Sequence, residues 1–212
     1  MIRRFRRYAG ENGHRAAVAK AVAEARDRVY STAAMMIVVK DLDEVLVPGR
    51  SSGVEVVPLD ESRLAGLSEL NRARGRPRVD RRFRSNLRRG MRGFVGVKNG
   101  VTVGYYWWVD AASASSHPDL DWLGDFARIA DNDVYGSDYY VLPEHRSGGT
   151  SNDMLFQIEC NLRDSGFERI WGYVLNSSRE ARWLYSSRGY RPMEEVHSRR
   201  LLFHRRVAKP RK

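Results

Sequence analysis

The chain has 212 residues, 42% of them hydrophobic and 30% charged, with a formal net charge of +11 at neutral pH. That length and apolar content suit one hydrophobic core better than two, no run is long and apolar enough to cross a membrane, and a basic N-terminus without an apolar stretch behind it is no secretory leader, so a cytoplasmic location is expected. A single cysteine, Cys160, excludes an intramolecular disulfide, and the five histidines lie scattered without metal-ligand spacing, so no metal is expected.

Ala16–Tyr30 carries Val18, Val22, Ala25 and Val29 near helical spacing and predicts an amphipathic helix, followed by a strand at Met35–Val39. The Pro/Gly/Ser-rich stretch Asp41–Gly53 predicts a connector. Val54–Pro58 predicts a strand, and Asp60 is placed to cap a helix whose apolar face is Leu64, Leu67 and Leu70. The arginine-rich segment Arg78–Arg89 predicts a second helix. Phe94–Val97 and Val101–Val109 flank Asn99-Gly100, a strong hairpin signal. Within the second of these strands Tyr105, Tyr106, Trp107 and Trp108 must send two aromatic rings to each face. One pair is core; the other is core or the lining of a pocket. Ala111–Asp133 reads as an insertion.

Tyr139 to Ser151 runs from an apolar strand through a glycine-containing turn into a helix start. Exposed backbone N–H groups at such a turn, added to the positive end of a helix, form a cradle for phosphate. A surface turn before a helix also needs glycine, so the turn alone leaves both readings open. The following helix buries Met154, Leu155, Ile158 and Leu162 on one face. After Gly166 come a strand at Arg169–Leu175 and a short helix. Ser177 with Glu180 predicts a capping box at its start, and Gly189 suits its exit. Met193–Val207 reads as a basic alternating strand before a Lys/Arg tail.

Taken together, the two segments around Val141 and Tyr185 resemble the signature motifs of the GNAT superfamily of acyl-CoA-dependent N-acetyltransferases. Val141, Pro143, Arg146 and Gly149 match the motif that grips the cofactor pyrophosphate; Leu184, Tyr185, Gly189 and Tyr190 match the second. Ser151 stands where the family has Gly or Ala. Ser178 stands at the family's Asn, with Asn176 close enough to supply an amide from a shifted position. The resemblance implies an α/β fold of the α+β kind, a central mixed and mostly antiparallel sheet flanked by helices. It covers a transferase domain at 54–207, with an N-terminal helix-strand extension at 1–53 packed on it and a basic tail at 208–212.

The resemblance also implies acetyl-CoA, or another acyl-CoA, as co-substrate. The backbone of Tyr140, Val141 and Leu142 would pair with the pantetheine arm between two splayed strands, and the turn Arg146, Ser147, Gly148, Gly149, Thr150, Ser151 would hold phosphate, with Asn176 nearby. Tyr185 matches the family's general acid; its other reading is a core tyrosine. Asp138, just before the central strand, is the first candidate for the base that deprotonates the amine, with Asp133 and Asp131 behind it; a solvated or arginine-paired aspartate is the alternative. The expected reaction acylates a primary amine of a small molecule, amino sugar or peptide. Two alternatives keep the fold: transfer of a long acyl chain from an acidic acyl carrier protein docked on Arg72–Arg92, or a silent module binding a polyanion, although no nucleic-acid-reading motif is present. The extension is open to several roles, a homodimer edge among them.

Overall fold

The computed structural model describes residues 30–49, 51–73, 79–116, 126, 129–201 and 204–208. The expected helix at Ala16–Tyr30 therefore lies almost wholly outside the described residues, and so do the basic N-terminus, residues 117–125 and 127–128 of the Ala111–Asp133 insertion and the end of the basic tail. Residues 36–194 form one compact unit, and residues 1–35 with 195–212 form a second.

In chain order the elements are β1 (Tyr30–Asp41), β2 (Glu55–Pro58), α1 (Leu64–Ala73), α2 (Val79–Arg88), β3 (Arg92–Lys98), β4 (Val101–Asp110), α3 (Ala111–Ser116) and β5 (Asp133–Val141). There follow α4 (Thr150–Asp164), β6 (Arg169–Leu175), α5 (Arg179–Ser187), β7 (Arg191–Leu201) and β8 (His204–Ala208). Within residues 36–194 the strands lie in the order β2-β3-β4-β5-β6-β1-β7. The pairs from β2 to β5 are antiparallel and β5 is parallel to β6.

Local chemistry explains most of these elements. Asn99 and Gly100 take φ of 51° and 76°, the left-handed pair that a two-residue hairpin between β3 and β4 requires. The Asp60 carboxylate accepts the Arg63 N–H at 3.1 Å, capping a 3-10 turn that feeds α1. At the other end of the site, Gly189 (φ 82°) ends α5 in a Schellman motif, its N–H reaching Ser186 O at 3.0 Å and that of Tyr190 reaching Tyr185 O at 3.0 Å.

The alternating aromatics of β4 divide the core between two faces. Tyr106 and Trp108 join a cluster with Met154, Leu155, Ile158 and Leu162 of α4, each such burial contributing roughly 1.5–3 kcal/mol. Tyr105 and Trp107 face the other way, with Phe83 of α2 seated against them at ring distances of 5.3 and 5.2 Å. All four rings are buried, so neither pair is left to line an open pocket.

The second unit holds a hairpin. β7 and β8 pair antiparallel from His197↔Ala208 to Leu201↔His204, so the stretch expected to be one strand at Met193–Val207 is two. The reversal carries no Gly, Pro or Asn, which is why the sequence pattern does not announce it.

Candidate active site

Strand β5 is bent where it matters. Tyr105 of β4 pairs with Tyr140, but Trp107 pairs with Ser137, so one residue of β4 faces two of β5. The extra residue forms a β-bulge, and Asp138 takes a left-handed φ of 49° in it. On the other side, β5 pairs with β6 only from Asp133↔Arg169 to Tyr135↔Trp171, although both strands run on, to Val141 and Leu175. A bulge bends its strand and sharpens its twist; the two strands part, and a cleft opens in the sheet.

The walls of this cleft are backbone. Leu142 gives its N–H to Val103 O at 2.8 Å. By the alternation of an antiparallel ladder the backbone of Val141 faces the opposite edge, toward β6. Its carbonyl is found there by Arg146, whose Nε donates to Val141 O at 3.0 Å. The same guanidinium pairs with Glu180 of α5 at 3.2 Å and lies 5.5 Å over the Tyr140 ring. The capping box expected from Ser177 and Glu180 is therefore not formed: Ser178 is the N-cap, without a side-chain bond, and Glu180 is drawn away to Arg146.

Beyond Val141, two short 3-10 turns (Pro143–His145 and Ser147–Gly149) lead to the N-terminus of α4. Gly148 and Gly149 have φ of 74° and 85°, and a Cβ at either would meet nothing within 4 Å. Their left-handed geometry turns the chain directly into the helix while leaving open space over the backbone. Arg146, Ser147, Gly148 and Gly149 are exposed; Thr150 is buried, and its hydroxyl has no partner among the described residues. Ser151 lends its carbonyl to the Tyr139 hydroxyl at 2.6 Å, tying the helix start to β5.

Tyr185 packs edge-on against Tyr190 at 4.7 Å and lies on the α4 side of the sheet. Burial pushes its phenol well above the ordinary value of 10, with the Glu159 carboxylate and Tyr173 adding to the effect. It stays protonated at neutral pH. Beneath it lies a charge cluster that sequence inspection missed: Glu159 of α4, with no exposed side-chain surface, pairs with Lys40 of β1 at 2.7 Å and with Arg188 at the end of α5. Arg188 also donates to the Leu46 carbonyl. Burial lowers the pKa of Lys40, and Glu159 opposes that shift. The cluster joins the helix of the turn to the helix of Tyr185. Its members are up to 148 positions apart, so no local spacing could reveal it.

Asp138 projects on the other face. Its Oδ2 accepts from the Tyr105 hydroxyl at 3.2 Å and lies 3.9 Å from Arg82 Nη2 of α2, a residue that sequence reasoning did not single out. The opening between β5 and β6 is thus flanked by Tyr185 on one face and Asp138 on the other. Asp133 is fully committed to structure, receiving Arg169 Nε at 2.8 Å, Trp171 Nε1 at 2.9 Å and Ala130 N at 2.8 Å. Asn176 lies in the turn after β6, where its carbonyl takes Arg182 Nη1 at 3.4 Å. Among the described residues no His, Cys, Asp or Glu group is arranged to hold a metal, and no helix is long and apolar enough to span a membrane.

A mixed sheet whose strands β5 and β6 part beside a bulge, with a glycine turn and a helix N-terminus at the end of β5, defines an α+β fold. Solved structures name it. A protein from Novosphingobium aromaticivorans assigned to the GNAT family of acetyltransferases superimposes with a TM-score of 0.53 at 15% identity, over 85% of this chain and 66% of its own. A GCN5-related N-acetyltransferase from Sphaerobacter thermophilus gives 0.56 at 16%, over 91% and 57%. A protein of unknown function from Staphylococcus epidermidis gives 0.59 at 12%, over 85% and 66%. The chain thus spans no more than 66% of the length of these structures. No protein-family profile and no curated protein sequence matches it. The chain has the GNAT fold.

Proposed function

We propose that the protein is an acyl-CoA-dependent N-acyltransferase that moves an acetyl group from acetyl-CoA to a primary amine of a small molecule, amino sugar or peptide. The observation that carries this reading is the coincidence of the parted strands with the turn: the cleft beside Val141 leads directly to Gly148, Gly149 and the positive end of α4. The donor's chemistry fits these residues. Its phosphates suit exposed N–H groups under open space, and the buried hydroxyl of Thr150 offers a further donor at the helix start. Its pantetheine amides suit the cleft-facing backbone of Val141, with Tyr140 and Leu142 holding that edge to β4.

When bound, the donor supplies a thioester carbonyl to be attacked. The chain's part is mainly placement, since bringing two reactants together in one cleft removes much of the entropic barrier. The Val141 N–H faces the cleft, where it would stabilise the oxygen as negative charge develops. Asp138 takes the proton that the attacking nitrogen must lose. As the C–N bond forms and the C–S bond breaks, Tyr185, protonated at neutral pH, gives its proton to sulfur. Arg146 must release the Val141 carbonyl or share it, because the pantetheine would compete for the same edge.

Calorimetric titration with acetyl-CoA, desulfo-CoA and a long-chain acyl-CoA tests the reading. Saturable binding of acetyl-CoA that survives moderate salt is expected. Absence of binding, or binding abolished by modest salt as for diffuse charge attraction, would overturn it. Marked preference for the long chain would move the donor to a carrier-protein substrate.

A further inference from the structure

We infer that the acceptor is an amino acid or a close analogue, with its ammonium taken by Asp138 and its carboxylate by Arg82; this rests on the acyltransferase reading. The argument starts from an oddity of the base. A carboxylate that must receive an ammonium should be free of competing cations, yet Arg82 stands 3.9 Å from Asp138 Oδ2. That spacing is an ion pair without a hydrogen bond. The same Asp138 oxygen accepts a hydrogen bond from the Tyr105 hydroxyl, at 3.2 Å.

Arg82 is not there by accident of a mobile surface. Its neighbour Phe83 is 1% exposed and wedged between Tyr105 and Trp107, which fixes this turn of α2 over β4. The backbone of Asp138 is fixed as well, by the bulge. The two backbones are therefore held in place on either side of the gap, while the Arg82 side chain, 54% exposed, keeps room to swing. A plain amine entering this gap meets a guanidinium that repels it and competes for the same carboxylate. An acceptor carrying its own carboxylate eases the conflict: it pairs with Arg82 in the two-pronged geometry that guanidinium favours, and brings its ammonium to Asp138. An α- or β-amino acid holds nitrogen and carboxylate about 3–4 Å apart by its bond lengths, close to the spacing of Arg82 and Asp138. A neutral amino sugar brings no such partner.

The test is acetyl transfer from acetyl-CoA to the twenty amino acids and, in parallel, to their C-terminal amides, followed as thiol release and product mass. For the best acceptor the acid should exceed the amide at least tenfold in kcat/KM. Arg82→Gln should bring that ratio near one, chiefly by raising KM for the acid, and Arg82→Glu should invert it. Melting curves of both variants check that they fold, as expected for a half-exposed position. Amides used as well as acids, a preference unaltered in Arg82→Gln, or neither series accepted would overturn the inference. Calorimetry on the same preparation separates the failures: an acceptor result of that kind with acetyl-CoA bound defeats only this inference, whereas no acetyl-CoA binding defeats the transferase reading and this one with it.

Discussion

At the scale of single residues, Tyr185 and Glu159 invite opposite experiments. Tyr185→Phe keeps the ring that packs edge-on against Tyr190 and removes only the hydroxyl. If that proton serves the leaving thiol, kcat should fall about 10²–10⁴-fold, the usual range for a general acid. The calorimetric affinity for acetyl-CoA should change little. Unaltered turnover would return Tyr185 to the core. Glu159 acts through stability instead. Among the described residues it is the anion that pairs with two buried cations, Lys40 and Arg188, each about 1% exposed. Glu159→Ala leaves both uncompensated, and breaking a buried pair in this way costs about 3–5 kcal/mol. An unfolding free energy, from urea titration, lowered by less than a quarter of that amount would mean that the cluster relaxes or hydrates.

At the scale of elements, what the sequence discloses is what is encoded locally. Asn99-Gly100, Asp60 and Gly189 each act within a few residues, and each does what its chemistry predicts. The turn and the Tyr185 helix are legible as strings, because both elements are set by spacing along the chain. What stayed hidden is long-range. Glu180 has a local role open to it in a capping box and a distant one with Arg146, and the fold chooses the distant one. Asp138 reads as a strand-entry acid; that it sits in a bulge at φ 49° is decided by the pairing of β5 with β4. Pairing of Arg82 with Asp138 depends on where α2 is laid across β4. The turn itself gives a sharp element-scale prediction. Gly149 is left-handed with open space around it, so Gly149→Ala creates no clash and carries only the conformational cost, about 1–2 kcal/mol. Its relief would re-aim the N–H groups. Stability should fall by no more than that, while acetyl-CoA affinity should fall at least tenfold by calorimetry. Full affinity in a folded Gly149→Ala protein would show that these N–H groups do not hold the ligand.

At the scale of the whole molecule, the same packing that protects the site sets the limit of the fold in alkali. Burial raises the phenols of Tyr106, Tyr139, Tyr185 and Tyr190 above 10. Below pH 10 the folded and unfolded chains bind these protons equally, so none of the four makes stability depend on pH. Above it the unfolded chain releases protons that the folded chain keeps. Stability then falls by about 1.4 kcal/mol per tyrosine per pH unit, or roughly 5–6 kcal/mol for the four. Lys40 has the opposite sign, since its folded pKa is lowered below 10.5 and the unfolded chain holds the extra proton as pH rises. Its contribution to the slope ends near 10.5, where the unfolded lysine also deprotonates. Urea midpoints should therefore hold through pH 9 and drop steeply past about 10.5, together with the phenolate absorbance of the exposed rings. Tyr190→Phe should remove about a quarter of that steepness, because it deletes one of the four delayed ionisations and keeps the ring. A midpoint that declines equally steeply in the variant would place the alkaline transition elsewhere, in the surface lysines whose neutralisation lowers the charge of +11.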